Sequence, residues 1–129
     1  APNMKIYCLY GTDLDTARSY YFTRDFNASF KYSFRMNTNY NSEDGTIKNG
    51  FGFTNGDATV PLLSLGFMCA KGWRNNKRLN PSSMKTKIIE YKDKGENLYQ
   101  RGFTMRGGKH SGDHIDIMGN QLLIKHVLL

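Results

Sequence analysis

The sequence predicts an α/β fold, and three observations carry the prediction. Met4-Lys5-Ile6-Tyr7-Cys8-Leu9-Tyr10 is a short, nearly continuous apolar run ended by Gly11. Such a run fits a strand buried on both faces, as in a parallel sheet. Thr86-Lys87-Ile88-Ile89-Glu90-Tyr91-Lys92 is a second run of the buried type. Between them, Leu62, Leu65, Cys69 and Trp73 fall three and four apart. That spacing is one face of a helix, with Pro61 admissible in its first turn.

The remaining elements follow in order. Tyr20-Tyr21-Phe22 reads as a strand. Phe30, Tyr32, Phe34 and Met36 alternate with Lys31, Ser33 and Arg35, the clearest period-two signal in the chain. These two segments pair as a hairpin with Asn27 near its tip. Residues 37–50 are rich in Asn, Ser, Asp and Gly and read as a loop. Phe51-Gly52-Phe53 is a very short strand feeding a turn at Asp57. Arg74 to Ser83 is a basic loop. A long loop from Asp93 to Asp113 carries glycine at 95, 102, 107, 108 and 112; loops of this length in compact domains tend to be functional or disordered. Ile117 to Leu129 has helical spacing but is apolar almost all round, which predicts burial on more than one side.

The 129 residues suit a single segment large enough for a core. The formal net charge is +7, but the 18 Lys and Arg are scattered, with no run longer than two. A solvated surface is the reading, with weak attraction to anionic headgroups and no nucleic-acid partner. No stretch reads as a signal peptide or as an apolar run long enough to span a bilayer. Ala1-Pro2-Asn3 leads almost directly into a strand, and the chain stops at Val127-Leu128-Leu129. Such ends predict an excised piece of a larger protein. Cys8 and Cys69 lie 61 positions apart without a C-x-x-C, which argues against a zinc ribbon or redox motif. Asn27-Ala28-Ser29 is a glycosylation sequon. Together the Cys pair and the sequon point to a luminal or secreted compartment.

Two stretches carry chemistry: Gly56-Asp57-Ala58-Thr59-Val60-Pro61 and Asp113-His114-Ile115-Asp116-Ile117. Each sets a group of catalytic type against an apolar, β-branched run, acid first and base second. No Gly-x-Ser-x-Gly occurs in the chain. Serine hydrolases of the α/β type order their triad Ser, Asp or Glu, His. A carboxylate there holds the imidazole in one tautomer, and the histidine takes and returns the serine proton. On spacing alone the plainer readings stand ahead: Asp57 as a turn former and His114 as a structural or exposed histidine.

Longer strings add to this. Ile6-Tyr7-Cys8-Leu9-Tyr10-Gly11, Gly56-Asp57-Ala58-Thr59-Val60-Pro61-Leu62-Leu63-Ser64 and Met68-Cys69-Ala70-Lys71-Gly72-Trp73 resemble the lecithin:cholesterol acyltransferase superfamily. Asn80-Pro81-Ser82, Arg106-Gly107-Gly108 and Ser111 to Asn120 resemble most the C-terminal part of its phospholipid:diacylglycerol acyltransferase branch. The resemblance covers nearly the whole chain, in order. It implies the C-terminal portion of an α/β-hydrolase fold, with mixed sheet strands, an inserted hairpin and flanking helices. It implies transfer of a fatty acyl group from phospholipid to diacylglycerol through an acyl-serine, with no metal or soluble cofactor. Asp57 falls on the family's catalytic aspartate and His114 on its histidine. The serine, the lid and the oxyanion donors belong to an upstream half of the same parent, so the isolated chain is expected to be inactive. A membrane surface becomes the expected partner, and the endoplasmic reticulum or the secreted space the expected location. Cys8 and Cys69 fall where the cholesterol-acyltransferase branch has a disulfide; two buried free thiols are the other reading.

Departures from the family pattern are also visible. Its turn usually reads Asp-Gly-Asp, whereas the first acid here is Asn55, which favours ionisation of Asp57. Ala58 stands where Gly or Glu is common, and residues 95–104 align with nothing. His110, His114, Asp113 and Asp116 resemble a metal cluster in composition, but the resemblance assigns His114 elsewhere and the loop is too Gly-rich to fix ligands. Asp116 reads as a carboxylate that supports the site or starts a helix, Trp73 as core ahead of a lipid contact shared with Tyr10, and His126 as packing or solvent-facing. Lys71, Arg74, Lys77 and Arg78 read as a solvated basic face. A phospholipase A, with water in place of the alcohol, or a lecithin:cholesterol acyltransferase-like enzyme, with a sterol in place of diacylglycerol, shares all these residues. A non-catalytic domain binding lipid or protein through its basic surface is the alternative from another class.

Overall fold

The structure is a computed structural model that describes residues 3–25, 34–95 and 108–129. Residues 26–33, which hold Asn27 and the Phe30–Ser33 part of the alternating segment, and residues 96–107 lie outside the described residues. In chain order the strands are β1 (Lys5–Thr12), β2 (Leu14–Tyr20), β3 (Phe22–Arg24), β4 (Phe34–Met36), β5 (Ile47–Lys48), β6 (Phe51–Gly56) and β7 (Lys85–Lys92). The helices are α1 (Leu62–Phe67), a π-helical turn (Met68–Gly72), α2 (Trp73–Asn75), a 3-10 turn (Asp116–Gly119) and α3 (Gln121–Leu128). The residues group into two compact units: Ala1–Thr16 with Asn55–Leu129, and Ala17–Thr54. Among the described residues, no helix is long and apolar enough to cross a membrane.

The first unit is built on β1 and β7, which pair in parallel from Lys5↔Lys85 to Thr12↔Lys92. Parallel neighbours need a crossover, and the helical stretch from Leu62 to Asn75 lies between these strands in sequence. The two apolar runs thus form the parallel pair their composition predicts. Burial on both faces does not extend along β1, however. Only its C-terminal residues Tyr10, Gly11 and Thr12 are buried, while Lys5 and Tyr7 are exposed, because among the described residues β1 pairs with β7 alone. Tyr10, Cys69, Tyr91 and Ile117 form the buried apolar core. Gly66 admits α1 to this core: a Cβ there would lie 2.4 Å from the Tyr10 hydroxyl. Tyr10 donates to Glu90 at 3.0 Å. Burial, aided by that bond, pushes its phenol up to about 12. The folded state therefore favours neutral Tyr10. Its contribution is full below the ordinary phenol value and is lost as pH rises towards 12.

The predicted helix over 61–73 exists, with Leu62, Leu65, Cys69 and Trp73 on its inner face. Its middle widens into a π turn, in which the Trp73 amide reaches back to the Met68 carbonyl. Such turns are usually single insertions in an α-helix. Here Thr86 Oγ1 donates to the Cys69 carbonyl at 2.9 Å and accepts from Arg74 Nε at 2.9 Å, tying the wide turn to β7. The Arg74–Ser83 segment is ordered around buried Asn80. Its amide donates to the Trp73 and Met84 carbonyls and its Oδ1 accepts from the Met84 amide. Cys69 is fully buried and disulfide-bonded to Cys8, with a Cα–Cα distance of 6.4 Å. The bridge pins β1 to the π turn.

In the second unit, β3 and β4 form an antiparallel hairpin with Phe22↔Met36 and Arg24↔Phe34 paired. The Tyr20-Tyr21-Phe22 expectation is corrected in detail. Tyr21 breaks the strand and stacks on Tyr40, ring centroids 3.7 Å apart. The predicted loop over 37–50 also ends in a strand that was not expected. β5 pairs with β6 through Asn49 (φ 52°) and Gly50 (φ 79°), an Asn-Gly turn of the primed kind that suits two-residue hairpins.

The C-terminal helix begins later than its apolar pattern suggests, at Gln121 rather than Ile117. Asn120 intervenes as its N-cap, accepting from the Leu122 and Leu123 amides. Leu122, Ile124, Val127 and Leu128 are exposed, so the expected burial on several sides is not present among the described residues.

The disulfide generates a prediction. It closes a loop across a sequence separation of 61, worth about 4 kcal/mol of unfolded-state entropy in the chain-entropy account. Cys69→Ser should lower unfolding free energy by about 2–4 kcal/mol, read by urea denaturation. Intact mass before and after reduction should differ by the two hydrogens of one disulfide. Free alkylation of both thiols in non-reduced protein would refute the bond.

Candidate acid–base site

Asp57 sits immediately after β6, whose last residue, Gly56, bridges Pro61. The turn between them is held by Asp57 itself. Its Oδ1 accepts from the Thr59 amide at 3.1 Å and the Val60 amide at 2.6 Å. Ala58 adopts a left-handed φ of 71°, and its amide donates to Thr16 Oγ1 at 2.9 Å. Thr16 is fully buried and donates in turn to the Leu14 carbonyl. A threonine on β2 thus offsets the strain of a β-carbon in that conformation by satisfying the amide it turns inward.

The second oxygen does something else. Asp57 Oδ2 lies 2.7 Å from His114 Nδ1. The His114 amide also donates to the Asp57 carbonyl at 2.9 Å. The histidine is therefore held by backbone and side chain to one residue 57 positions away. The Asp57 side chain is 4% exposed and the His114 side chain 44% exposed. The imidazole is fixed on its Nδ1 side, with nearly half its side chain open.

Two opposed effects set the charge of Asp57. Burial pushes its carboxyl up; hydrogen bonds from the Val60 amide, His114 and the Thr59 amide outweigh this and hold it below the usual carboxylate range. An ionised carboxylate only accepts, so His114 Nδ1 carries the hydrogen. In the neutral ring Nε2 is then the lone-pair nitrogen.

The loop carrying His114 is anchored to the ends of the parallel strands. The Asp93 amide donates to the Thr12 carbonyl at 2.9 Å, and Asp93 Oδ2 accepts from the Gly112 amide at 2.9 Å. Gly11 makes this close approach feasible, since a Cβ there would fall 1.8 Å from the Gly112 carbonyl oxygen. Asp113 Oδ1 accepts from the Ile115 and Asp116 amides. These bonds close the turn that leads into the 3-10 turn, and Asp116 is the acidic residue at the start of that turn, as expected.

Asn55 pairs reciprocally with Asp13: the Asp13 amide donates to Asn55 Oδ1 at 2.8 Å, and Asn55 Nδ2 donates to Asp13 Oδ1 at 2.9 Å. Lys92 lies 3.5 Å from the other Asp13 oxygen. His126 accepts or donates at Nδ1 with buried Tyr91, 2.9 Å away. Among the described residues, no three His, Cys, Asp or Glu converge as metal ligands. Thr16, Asp93, Ser111 and Asn120 are site supports that periodicity and spacing do not mark.

The sequence model of the lecithin:cholesterol acyltransferase family matches residues 1–121. The chain belongs to the lecithin:cholesterol acyltransferase family. An Arabidopsis thaliana relative is 44% identical over 99% of this chain and 19% of its own length. Phospholipid:diacylglycerol acyltransferase 1 of the same plant is 40% identical, with coverage of 99% and 19%. Phospholipid:diacylglycerol acyltransferase of Schizosaccharomyces pombe is 38% identical, with coverage of 99% and 18%. The chain thus spans about a fifth of the length of these family members. No solved structure matches it. The mixed α/β architecture is consistent with this family.

The site generates a pH prediction. Asp57 has a folded value below its unfolded one, so its contribution to stability is full above the ordinary carboxylate value of about 3.9 and is lost as pH falls through the lowered value. Asp57→Asn should remove this dependence and, with its oxygen kept on the Thr59 and Val60 amides, set its NH2 against His114 Nδ1. Nitrogen-15 spectra of labelled histidine should then show His114 losing its fixed Nδ1–H tautomer. An unchanged tautomer in the variant would refute the contact.

Proposed function

We propose that this chain supplies the base and its orienting acid to a serine acyltransferase whose nucleophile lies outside these 129 residues. The reaction is transfer of a fatty acyl group from a phospholipid to diacylglycerol. The observation that carries the reading is the Asp57 Oδ2–His114 Nδ1 contact of 2.7 Å, with the opposite side of the ring left open. The names of the relatives support the substrate class.

His114 Nε2 takes the serine proton as that oxygen attacks the phospholipid acyl ester. The ester bond breaks, and the proton passes to the departing lysophospholipid oxygen. Nε2 then takes the proton of the diacylglycerol hydroxyl as it attacks the acyl-serine. The serine oxygen leaves and recovers the proton, and triacylglycerol is released. Asp57 stays ionised throughout and stabilises the imidazolium in each half-reaction.

The test is an assay of phospholipid with diacylglycerol, using the 129-residue chain alone and the longer polypeptide that carries it with a nucleophilic serine. The chain alone should be inactive, since neither a nucleophile elbow nor its oxyanion donors are present; such donors alone contribute several kcal/mol, about 3–4. In the longer polypeptide, His114→Ala should abolish turnover with little change in melting temperature. Activity of the chain alone, or of His114→Ala, would overturn the reading. Release of fatty acid without triacylglycerol would reassign the reaction to hydrolysis at the same site.

A further inference from the structure

We infer that Asn120 is a positioning residue for His114, acting through Ser111; this rests on the acid–base role proposed above. The His114 imidazole is held on the Asp57 side by the two contacts already described. What fixes the loop that delivers it is a separate question, because residues 108–115 have no helix or strand of their own. Ser111 and Gly112 are nevertheless buried, so their backbone groups need partners.

Asn120 closes the loop. Asn120 is 2% exposed, and its Nδ2 donates to the Ser111 carbonyl at 2.8 Å, a bond buried at both ends. Oδ1 accepts from Leu122 and Leu123. The Asn120 amide reaches the Ile117 carbonyl, and the Ile117 amide reaches that of Asp113. From Ser111 the hold passes forward: Ser111 Oγ accepts from the Asp113 amide at 3.2 Å, one residue before His114. The Gln121 amide donates to the Lys109 carbonyl at 3.0 Å, a second tie across the same loop. A single amide thus does two jobs at once. One end starts α3, and the other sets the height of the loop that ends in His114.

This division makes the inference testable, because the two ends of the amide separate chemically. Asp, Thr and Asn all cap helices well. Asn120→Asp keeps an acceptor for the Leu122 and Leu123 amides but sets an oxygen against the Ser111 carbonyl. Asn120→Thr keeps a capping hydroxyl, adds no charge and is too short to reach Ser111. Both are measured in the longer polypeptide with its nucleophile. The expected result is a fall in kcat of roughly 10- to 100-fold, the scale of a small misplacement of a reacting group. KM should stay within about twofold and helix content should be unchanged. The pH profile of kcat should also shift in both variants, since the loop no longer presents His114 to Asp57 in one geometry. A substitution that only loosened the fold would leave kcat per folded molecule and the pH profile where they were.

Wild-type kcat in Asn120→Thr, with Asn120→Asp folded, overturns the inference. So does loss of folding in both variants, which would assign Asn120 to the fold alone. His114→Ala is run beside them. If that variant keeps turnover, the acid–base reading itself falls; if it is inactive while Asn120→Thr is normal, only the present inference falls.

Discussion

One carboxylate does the work on which the described site depends. Asp57 Oδ1 closes its own turn onto Thr59 and Val60, and Oδ2 holds His114 Nδ1. Both jobs require the ionised form, because each uses the oxygens as acceptors. A protonated Asp57 would surrender one of them. The opposition between burial and hydrogen bonding at this residue is therefore a structural necessity. The residue is nearly sequestered from water, and the donors that surround it keep it charged there. The turn-former reading of Asp57 and the acid reading are not rivals in this geometry. The turn aims the carboxylate, and the second oxygen is left for the imidazole.

Burial of such a group requires a rigid frame, and the frame here is small. The buried apolar residues are few, namely Tyr10, Cys69, Tyr91 and Ile117. Polar residues supply much of the remaining order: Thr16 under the Ala58 turn, Asn80 in the loop before β7, Asn120 before α3. Each is at most 4% exposed and hydrogen-bonded. A buried polar group without partners costs about 1–3 kcal/mol, so these side chains specify one loop conformation more sharply than an apolar side chain of like size. The disulfide complements them by fixing the helical stretch to β1 across a sequence separation of 61. Among the described residues, Thr12 Oγ1 is the one buried side-chain polar atom without a partner.

The legible parts of the sequence were those governed by periodicity or by a local chemical rule. The two apolar runs gave β1 and β7, and three-four spacing gave the inner face of the helix, because burial imposes those periods directly. β3 and β4 pair where a hairpin is expected, but Phe34 is exposed and Phe30 and Tyr32, on which the alternation rests, lie outside the described residues. Asn49-Gly50 is a hairpin-turn signal, but it sits in a polar stretch whose composition alone suggests a loop. The π turn has no such signal: its Cys69 carbonyl accepts from Thr86 on β7, which Arg74 of α2 holds in turn. The late start of α3 was masked by apolar residues at Ile117 and Met118, which continue the pattern although Asn120 ends one turn and begins another. The separation of Asp57 and His114 by 57 positions could be guessed only through resemblance, as no spacing rule connects residues on different loops.

The Asn55 departure shows how a site's charge is balanced over a neighbourhood rather than at one position. Seen in sequence, an Asn in place of an acid removes a negative charge near Asp57. In the structure Asn55 faces Asp13, exchanging one hydrogen bond in each direction. A carboxylate at 55 would face the Asp13 carboxylate at hydrogen-bond distance, where two like charges cannot both ionise cheaply. The amide removes that conflict and adds a donor. Asp13, whose φ of 72° is itself unusual for a residue with a side chain, is held further by Lys92 at the end of β7. Hydrogen bonding from Asn55, reinforced by Lys92, holds the Asp13 carboxyl below its usual range. The negative charge next to the turn resides on Asp13, where Lys92 offsets it. The same pair ties the β1–β2 corner to β6 just before Asp57. Neutrality at 55 and the sharp corner at Asp13 are two sides of one local solution. It fixes the strand end before Asp57, whose charge is kept by the Val60 and Thr59 amides and by His114.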